Sequence, residues 1–142
     1  MYTQKTKYAI LAMKRLAKEY GKGTLLIGQI AESEKIPKRF LESILLELKK
    51  YGFLGSKLGK AGGYFLLKRP ENISLLEIIK IFEGTVALLQ CTSEDQHLPC
   101  EHCEDEVLCS TRFIFKDIQE YTLNKLAGTT LASLISGVSS TN

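Results

Sequence analysis

The chain has 142 residues, which suits one domain or one small domain with an appended helix. Its hydrophobic fraction of 44% and charged fraction of 25% are ordinary for a folded protein, and no apolar run approaches the about 18 residues of a membrane-spanning helix, so no membrane partner is expected. The net charge of +3 hides an asymmetry: residues 1–70 carry 15 Lys/Arg against 5 Glu, and residues 71–142 carry 4 Lys/Arg against 11 Asp/Glu. A basic front half points to a polyanion as partner, with a solvated lysine surface as the plainer alternative.

The first seven residues have no apolar signal core behind them, so a cytoplasmic, reducing location is expected. Residues 3–20 are predicted helical: Ala9, Ala12, Met13, Leu16 and Tyr20 recur at helical spacing, Thr3 is a candidate N-cap and Gly21 a stop. Lys7, Lys14 and Lys18 share another face.

A short helix from about Ile27 to Ser33 follows, then a turn at Glu34–Ile36, then a longer helix starting at Pro37. The second helix has an apolar stripe of Leu41, Ile44, Leu45 and Leu48. It leaves Lys38, Arg39, Glu42, Ser43, Lys49 and Lys50 facing outward. Two helices joined by a tight turn, the second one amphipathic and basic at its start, is the helix-turn-helix arrangement, although plain helix hairpins share it.

Residues 52–67 strengthen the nucleic-acid reading. Ser56–Leu58 and Tyr64–Leu67 are predicted strands, and Gly59-Lys60-Ala61-Gly62-Gly63 is the hairpin tip between them. A hairpin directly after a helix-turn-helix is a wing, and Lys57 and Lys60 give its tip positive charge. The glycines lack the Lys-Ser/Thr pair of a phosphate-binding P-loop, so nucleotide binding ranks well below DNA binding. Ser74 with Glu77 reads as a capping box for a core helix ending near Glu83, closed by Gly84.

All four cysteines and both histidines fall in one polar run, Cys91 to Cys109, at spacings of eight, two and five intervening residues. Thiols in such a loop point to metal, cluster or redox chemistry rather than packing. Ser110 or Thr111 is a candidate cap for a long helix through about Ala127. Phe113, Ile114, Phe115, Ile118, Tyr121, Leu123 and Leu126 cover more than one face of that helix, so it is expected to pack on the domain and on a second copy of itself. Gly128 stops it, residues 130–135 form a last short helix, and residues from Ser136 onward are expected to fray.

The order of these parts resembles the Rrf-two family of bacterial winged-helix transcription regulators, the IscR, NsrR and CymR type. The resemblance spans roughly residues 1–135. It rests most on the wing (Gly59, Gly62, Gly63, Tyr64) and on the cysteine loop. It implies a mainly α fold with a small β-hairpin wing: residues 1–84 as a winged helix-turn-helix DNA-binding domain and 85–109 as a cysteine-rich sensor loop. Residues 110–136 would hold the dimerisation helix and a short terminal helix, and 137–142 a frayed tail. It implies a homodimer on a palindromic double-stranded operator, acting as a repressor and not as an enzyme. In cluster-binding members three loop cysteines hold an iron–sulfur cluster; others lack it and act through a partner protein or small effector.

Carried over residue by residue, Cys91, Cys103 and Cys109 match the family's three cysteines, and Glu42 sits where a member reads or rejects bases. The DNA contacts expected are Lys5, Lys7, Gln29, Lys38, Arg39, Glu42, Lys57, Lys60, Gly62, Gly63 and Tyr64. Several departures stand out. The gap from Cys91 to Cys103 is long, Cys100 is an extra thiol, Arg112 stands where the IscR type offers a histidine ligand, and Leu58 replaces a common wing arginine.

Cys91, Cys100, Cys103 and Cys109 together offer four thiolates to a [2Fe-2S] or [4Fe-4S] cluster; alternatively His97, His102 or an acidic residue completes the set. Zinc is the runner-up, since Cys100-x-x-Cys103 has zinc-site spacing, and a bare thiol switch comes third. An enzyme or electron carrier finds no acid–base constellation here and leaves the basic half unexplained; a zinc-stabilised interaction module is a third class, and salt-dependent DNA binding separates the regulator reading from both.

Overall fold

Thr3 opens the first helix with extended backbone, and its hydroxyl accepts the Thr6 N–H at 3.3 Å. The computed structural model describes residues 2–60 and 62–137; Ala61 at the wing tip and residues 138–142 of the expected frayed tail lie outside the described residues. The first helix, α1, is Gln4–Lys18. Ala9, Ala12, Met13 and Leu16 are buried, as their spacing requires. Tyr20 is a correction to the expected stripe: it is 41% exposed, because the helix ends at Lys18 and the chain turns away through Gly21 at φ 81°.

α2 (Ile27–Glu34) and α3 (Lys38–Lys50) follow. Lys35 joins them at φ 55°, and both its N–H and that of Ile36 reach the Ala31 carbonyl, which ends α2 abruptly. Pro37 is the N-cap of α3 and not its first helical residue. Its preset φ suits either position, so the sequence signal placed the start one residue early. Leu41, Ile44, Leu45 and Leu48 are fully buried on one stripe.

β1 (Leu54–Lys57) and β2 (Gly63–Leu66) pair antiparallel, Leu54 opposite Leu66 and Lys57 opposite Gly63. β1 begins nearer the core than the expected Ser56, while β2 starts one residue nearer the tip, at Gly63, and ends at Leu66. Phe53 and Leu54 turn inward, so pairing starts where their side chains are buried and Leu58 is left in the tip. Leu25 adds a bridge to the outer edge: its N–H donates to the Tyr64 carbonyl at 2.9 Å and its carbonyl accepts the Tyr64 N–H at 2.7 Å. Gly63 allows this approach, since a Cβ there would collide with the Leu25 carbonyl.

α4 (Leu75–Glu83) carries the expected capping box. The Ser74 hydroxyl accepts the Glu77 N–H, and the Glu77 carboxylate accepts the Ser74 N–H. Its carboxyl-terminal residue reaches back to α1: Glu83 Oε1 accepts the Thr3 N–H at 2.7 Å and both the Thr3 and Thr6 hydroxyls. These bonds hold the Glu83 carboxyl below its ordinary value, the Thr6 hydroxyl being the largest cause.

The long helix α5 is Ser110–Ala127, and a short α6 (Leu131–Ile135) completes the chain. α6 returns to the winged head. Leu131 is fully buried in the head's core, its N–H donates to the Ile73 carbonyl at 3.0 Å, and the Leu75 N–H donates to the Thr129 carbonyl at 2.8 Å. The core is thus built by α1 to α4, the hairpin residues Leu54 and Leu66, and Leu131 of α6, with α5 outside it. Among the described residues no helix is long and apolar enough to cross a membrane.

Candidate functional site

Two sites emerge, one basic and one rich in thiols. On the first, Lys38 and Arg39 are exposed in the opening turn of α3, followed by exposed Glu42 and Ser43. Their exposure follows from the stripe that buries Leu41, Ile44 and Leu45 on the opposite face. Lys5 and Lys7 are exposed near the start of α1, and Lys5 Nζ sits 5.7 Å from the Phe82 ring centre. Gln29 is exposed, and its carbonyl oxygen accepts the Leu26 N–H at 2.8 Å, so part of its polarity closes the α2 start. At the other end of α3, Lys49 Nζ donates to Ser56 Oγ at 2.7 Å and ties the helix to the wing.

The wing divides its residues. Lys57, Leu58, Gly59 and Lys60 form an exposed tip, with Leu58 fully exposed. Gly62 is buried and accepts the Thr24 hydroxyl at its carbonyl, Gly63 packs on the Leu25 backbone, and Tyr64 lies partly buried against the core. These three serve the wing's attachment first. Phe40 was not singled out by sequence reasoning. It is 49% exposed in the first turn of α3, flanked by Tyr8 (ring centres 6.4 Å apart) and by the Arg39 guanidinium at 5.6 Å. An apolar residue directly after Lys38 and Arg39, outside the Leu41, Ile44, Leu45 and Leu48 stripe, was the available signal.

The thiol site lies between α4 and α5. Cys91 sits in a 3₁₀ turn, Gln90–Thr92, whose Thr92 and Ser93 are buried. A second 3₁₀ turn, Glu106–Leu108, leads into Cys109. Cys109 itself, and not Ser110 or Thr111, is the N-cap of α5: its Sγ accepts the Arg112 N–H at 3.4 Å. All four cysteines are free thiols, Cys100 exposed and the others partly buried. Together with Leu89, His102, Glu106, Thr111 and Arg112 they line one cavity of about 270 Å³. The Cys103 N–H donates to the Cys100 carbonyl at 3.2 Å, which folds the C-x-x-C segment into a turn. Burial, then the neighbouring Cys109 and Cys100 thiols, push the Cys103 thiol up, against a backbone hydrogen bond at Asp105 that lowers it. Ligation at this sulfur would therefore release a proton.

Around the cavity, Glu106 Oε2 lies 3.1 Å from His97 Nε2 and 3.9 Å from Arg112 Nε, while Glu106 Oε1 is buried without a hydrogen-bond partner among the described residues. Arg112 Nε donates to the Cys91 carbonyl at 3.2 Å. Among the described residues no three His, Cys, Asp or Glu side chains converge as a single metal ion requires.

The comparisons with known proteins follow this geometry. A family described as "Rrf2: Iron-dependent Transcriptional regulator" matches residues 2–137. The chain belongs to the Rrf2 family. Among similar Rrf2 proteins, a helix-turn-helix-type rrf2-like transcriptional regulator of Rhodobacter capsulatus is 42% identical over 83% of this chain and 81% of its own length. The transcriptional regulator IscR of Sodalis glossinidius is 28% identical over 94% of this chain and 78% of its own. Among solved structures, CymR, the global cysteine regulator of B. subtilis, superposes with a TM-score of 0.81 at 26% identity, covering 96% of both chains. The IscR of T. potens superposes with a TM-score of 0.76 at 25% identity, covering 96% of this chain and 86% of its own. The mainly helical fold with its hairpin wing is the fold expected from the sequence. This Rrf2 protein is a DNA-binding transcriptional regulator and not an enzyme.

Proposed function

We propose that this Rrf2 regulator binds a palindromic operator as a homodimer and represses from it, and that Cys91, Cys100, Cys103 and Cys109 hold an iron–sulfur cluster whose state sets its DNA affinity. The observation that carries the cluster is that all four thiols, from three separate loop segments, line one cavity at the joint between the head and α5. A single zinc ion requires its ligands to point at one centre about 2.3 Å from each sulfur; a cluster presents several iron atoms and accepts a wider spread of thiolates. The orphaned Glu106 Oε1 beside these thiols is a further oxygen donor should Cys100 not ligate. When bound, the cluster supplies a centre that gains or loses electrons and reacts with oxidants or nitric oxide.

The DNA half of the reading assigns Lys38, Arg39, Phe40 and Glu42 to the major groove, with Gln29 at its edge. Lys5, Lys7 and the tip residues Lys57 and Lys60 meet phosphates, and Gly62, Gly63 and Tyr64 hold the wing in place. The exposed apolar residues of α5, Phe113, Ile114, Ile118 and Tyr121, meet the same helix of a second copy.

A second reading, structural zinc, draws on the folded Cys100–Cys103 turn. One preparation separates the two. Protein purified without oxygen is expected to be coloured, with iron and sulfide bound. Its affinity for an operator selected from a random duplex pool should change when the cluster is stripped by chelator. Colourless protein with one zinc per chain, or an affinity indifferent to stripping, would overturn the cluster reading.

A further inference from the structure

Gln119 is the one buried side chain of α5, only 5% exposed in a helix whose apolar residues mostly face outward. It spends that burial on a single partner. Gln119 Oε1 accepts the Thr92 hydroxyl at 2.8 Å, and Gln119 Nε2 donates to the Thr92 carbonyl at 3.0 Å. Thr92 is 3% exposed; its single hydroxyl proton is shared between Gln119 Oε1 and the Leu89 carbonyl, also at 2.8 Å, and its oxygen accepts the Leu89 N–H at 3.3 Å, which closes the 3₁₀ turn in which Cys91 sits. Two helical turns earlier on the same face of α5, Arg112 Nε donates to the Cys91 carbonyl. The Cys91 turn is therefore bound to α5 at two points on adjacent residues.

From these contacts we infer that Gln119 and Thr92 form a positioning clamp that converts a change at the Cys91 sulfur into a change in α5. The inference rests on the cluster reading above and names the residues that carry its signal. The physical reason is the cost of letting go. Separating the pair would strip the two buried Gln119 amide atoms and the Thr92 carbonyl of these bonds, so a displaced Cys91 turn drags the helix with it instead of slipping past. A cysteine joined to α5 only by apolar contacts would slide at far lower cost. A lone buried glutamine that merely filled space would serve the fold better as leucine, since the apolar pair would bury the same volume without polar desolvation.

The test separates coupling from stability. Thr92→Val with Gln119→Leu removes both side-chain partners together; the Thr92 carbonyl and the Leu89 N–H lose a bond, so a lower melting midpoint is expected and the coupling is read at a temperature where the variant is folded. The wild-type protein gives a reference ratio of operator affinities, cluster-loaded against chelator-stripped. The double variant is expected to bind cluster with the wild-type visible spectrum, to melt below the wild-type midpoint while remaining folded at the assay temperature, and to bring that ratio close to one. Thr92→Ser, which keeps the hydroxyl, should retain the wild-type ratio. A double variant that loads cluster and keeps the full ratio overturns the clamp.

Hydrogen exchange on the wild-type chain supplies a check that needs no variant. Loading should alter exchange of the Thr92 amide and of the α5 amides around Gln119 together; a change at Thr92 with none in α5 overturns the clamp as well. A wild-type ratio of one would sink the sensing reading itself, a result distinct from failure of the clamp alone.

Discussion

Arg112 and Cys91 meet across 21 residues of chain, the Arg112 Nε donating to the Cys91 carbonyl oxygen at 3.2 Å. The same residue's backbone N–H is turned to the Cys109 sulfur. Arg112 thus touches both ends of the thiol loop from the first turn of α5. Arg112→Ala is expected to speed loss of visible absorbance to a chelator by about tenfold, the usual scale for removing a group that orients ligands. Arg112→Lys keeps the charge but loses the directed Nε–H, and it should resemble the alanine variant. Full rescue by lysine would assign the effect to charge alone.

Phe40 adds an apolar contact to an otherwise charged reading helix. Phe40→Ala should weaken binding to the selected operator by about 1–2 kcal/mol, close to tenfold, because roughly half a phenyl ring is no longer covered on binding. Affinity for unrelated duplex should move little, since that binding comes from phosphate contacts. If the contact is to a thymine methyl, replacing thymine by uracil in the operator will weaken wild type and leave Phe40→Ala unchanged. Titration of both duplexes by fluorescence anisotropy at fixed salt reads all of these.

The outer face of α5 makes its own prediction. Ile118 is 48% exposed beside Ile114 and Tyr121. Ile118→Glu places a charge in the expected helix–helix contact, and light scattering should then give the mass of one chain, 15.9 kDa, in place of two. A wild-type mass of one chain at micromolar concentration would remove α5 as a dimer helix.

Glu83 links the end of α4 to the start of α1, and its carboxyl is held low by the Thr6 and Thr3 donors. A carboxyl lowered on folding stabilises above its unfolded value, about 4.3, and that stabilisation fades as pH falls through the lower folded value. Glu83→Gln should therefore cost most at pH 6–8, about 1 kcal/mol once solvent screening is allowed for, and progressively less as pH falls below about 4.3. Denaturant midpoints across that range give the comparison; a constant difference at every pH would show that the charge is not involved.

The helix-turn-helix was legible because its signals are local: the α3 stripe, the proline and the Ser74–Glu77 box each depend on neighbours within a turn or two. Strand ends were less so. Phe53 and Leu54 pull the hairpin toward the core through contacts that no local pattern encodes. The cysteines were visible as a cluster, but their meeting around one cavity depends on how α4 and α5 pack. Cys109 as a cap was hidden because serine and threonine next to it are the commoner capping residues. Gln119 looked like any polar residue of an amphipathic helix. Its burial is set by the Thr92 turn, 27 positions away.

The return of α6 into the head has a mechanical consequence. Leu131 is anchored in the core on one side of Gly128, and the Cys109 loop holds the opposite end of α5. A rod pinned near both ends cannot travel along its axis. Once the thiol loop yields, the released end can swing about the Gly128 end, like a door leaf whose latch has been lifted. Small displacements at the latch would then become angles at the hinge, and in the proposed dimer the reach between two operator half-sites would be set by angle rather than by length.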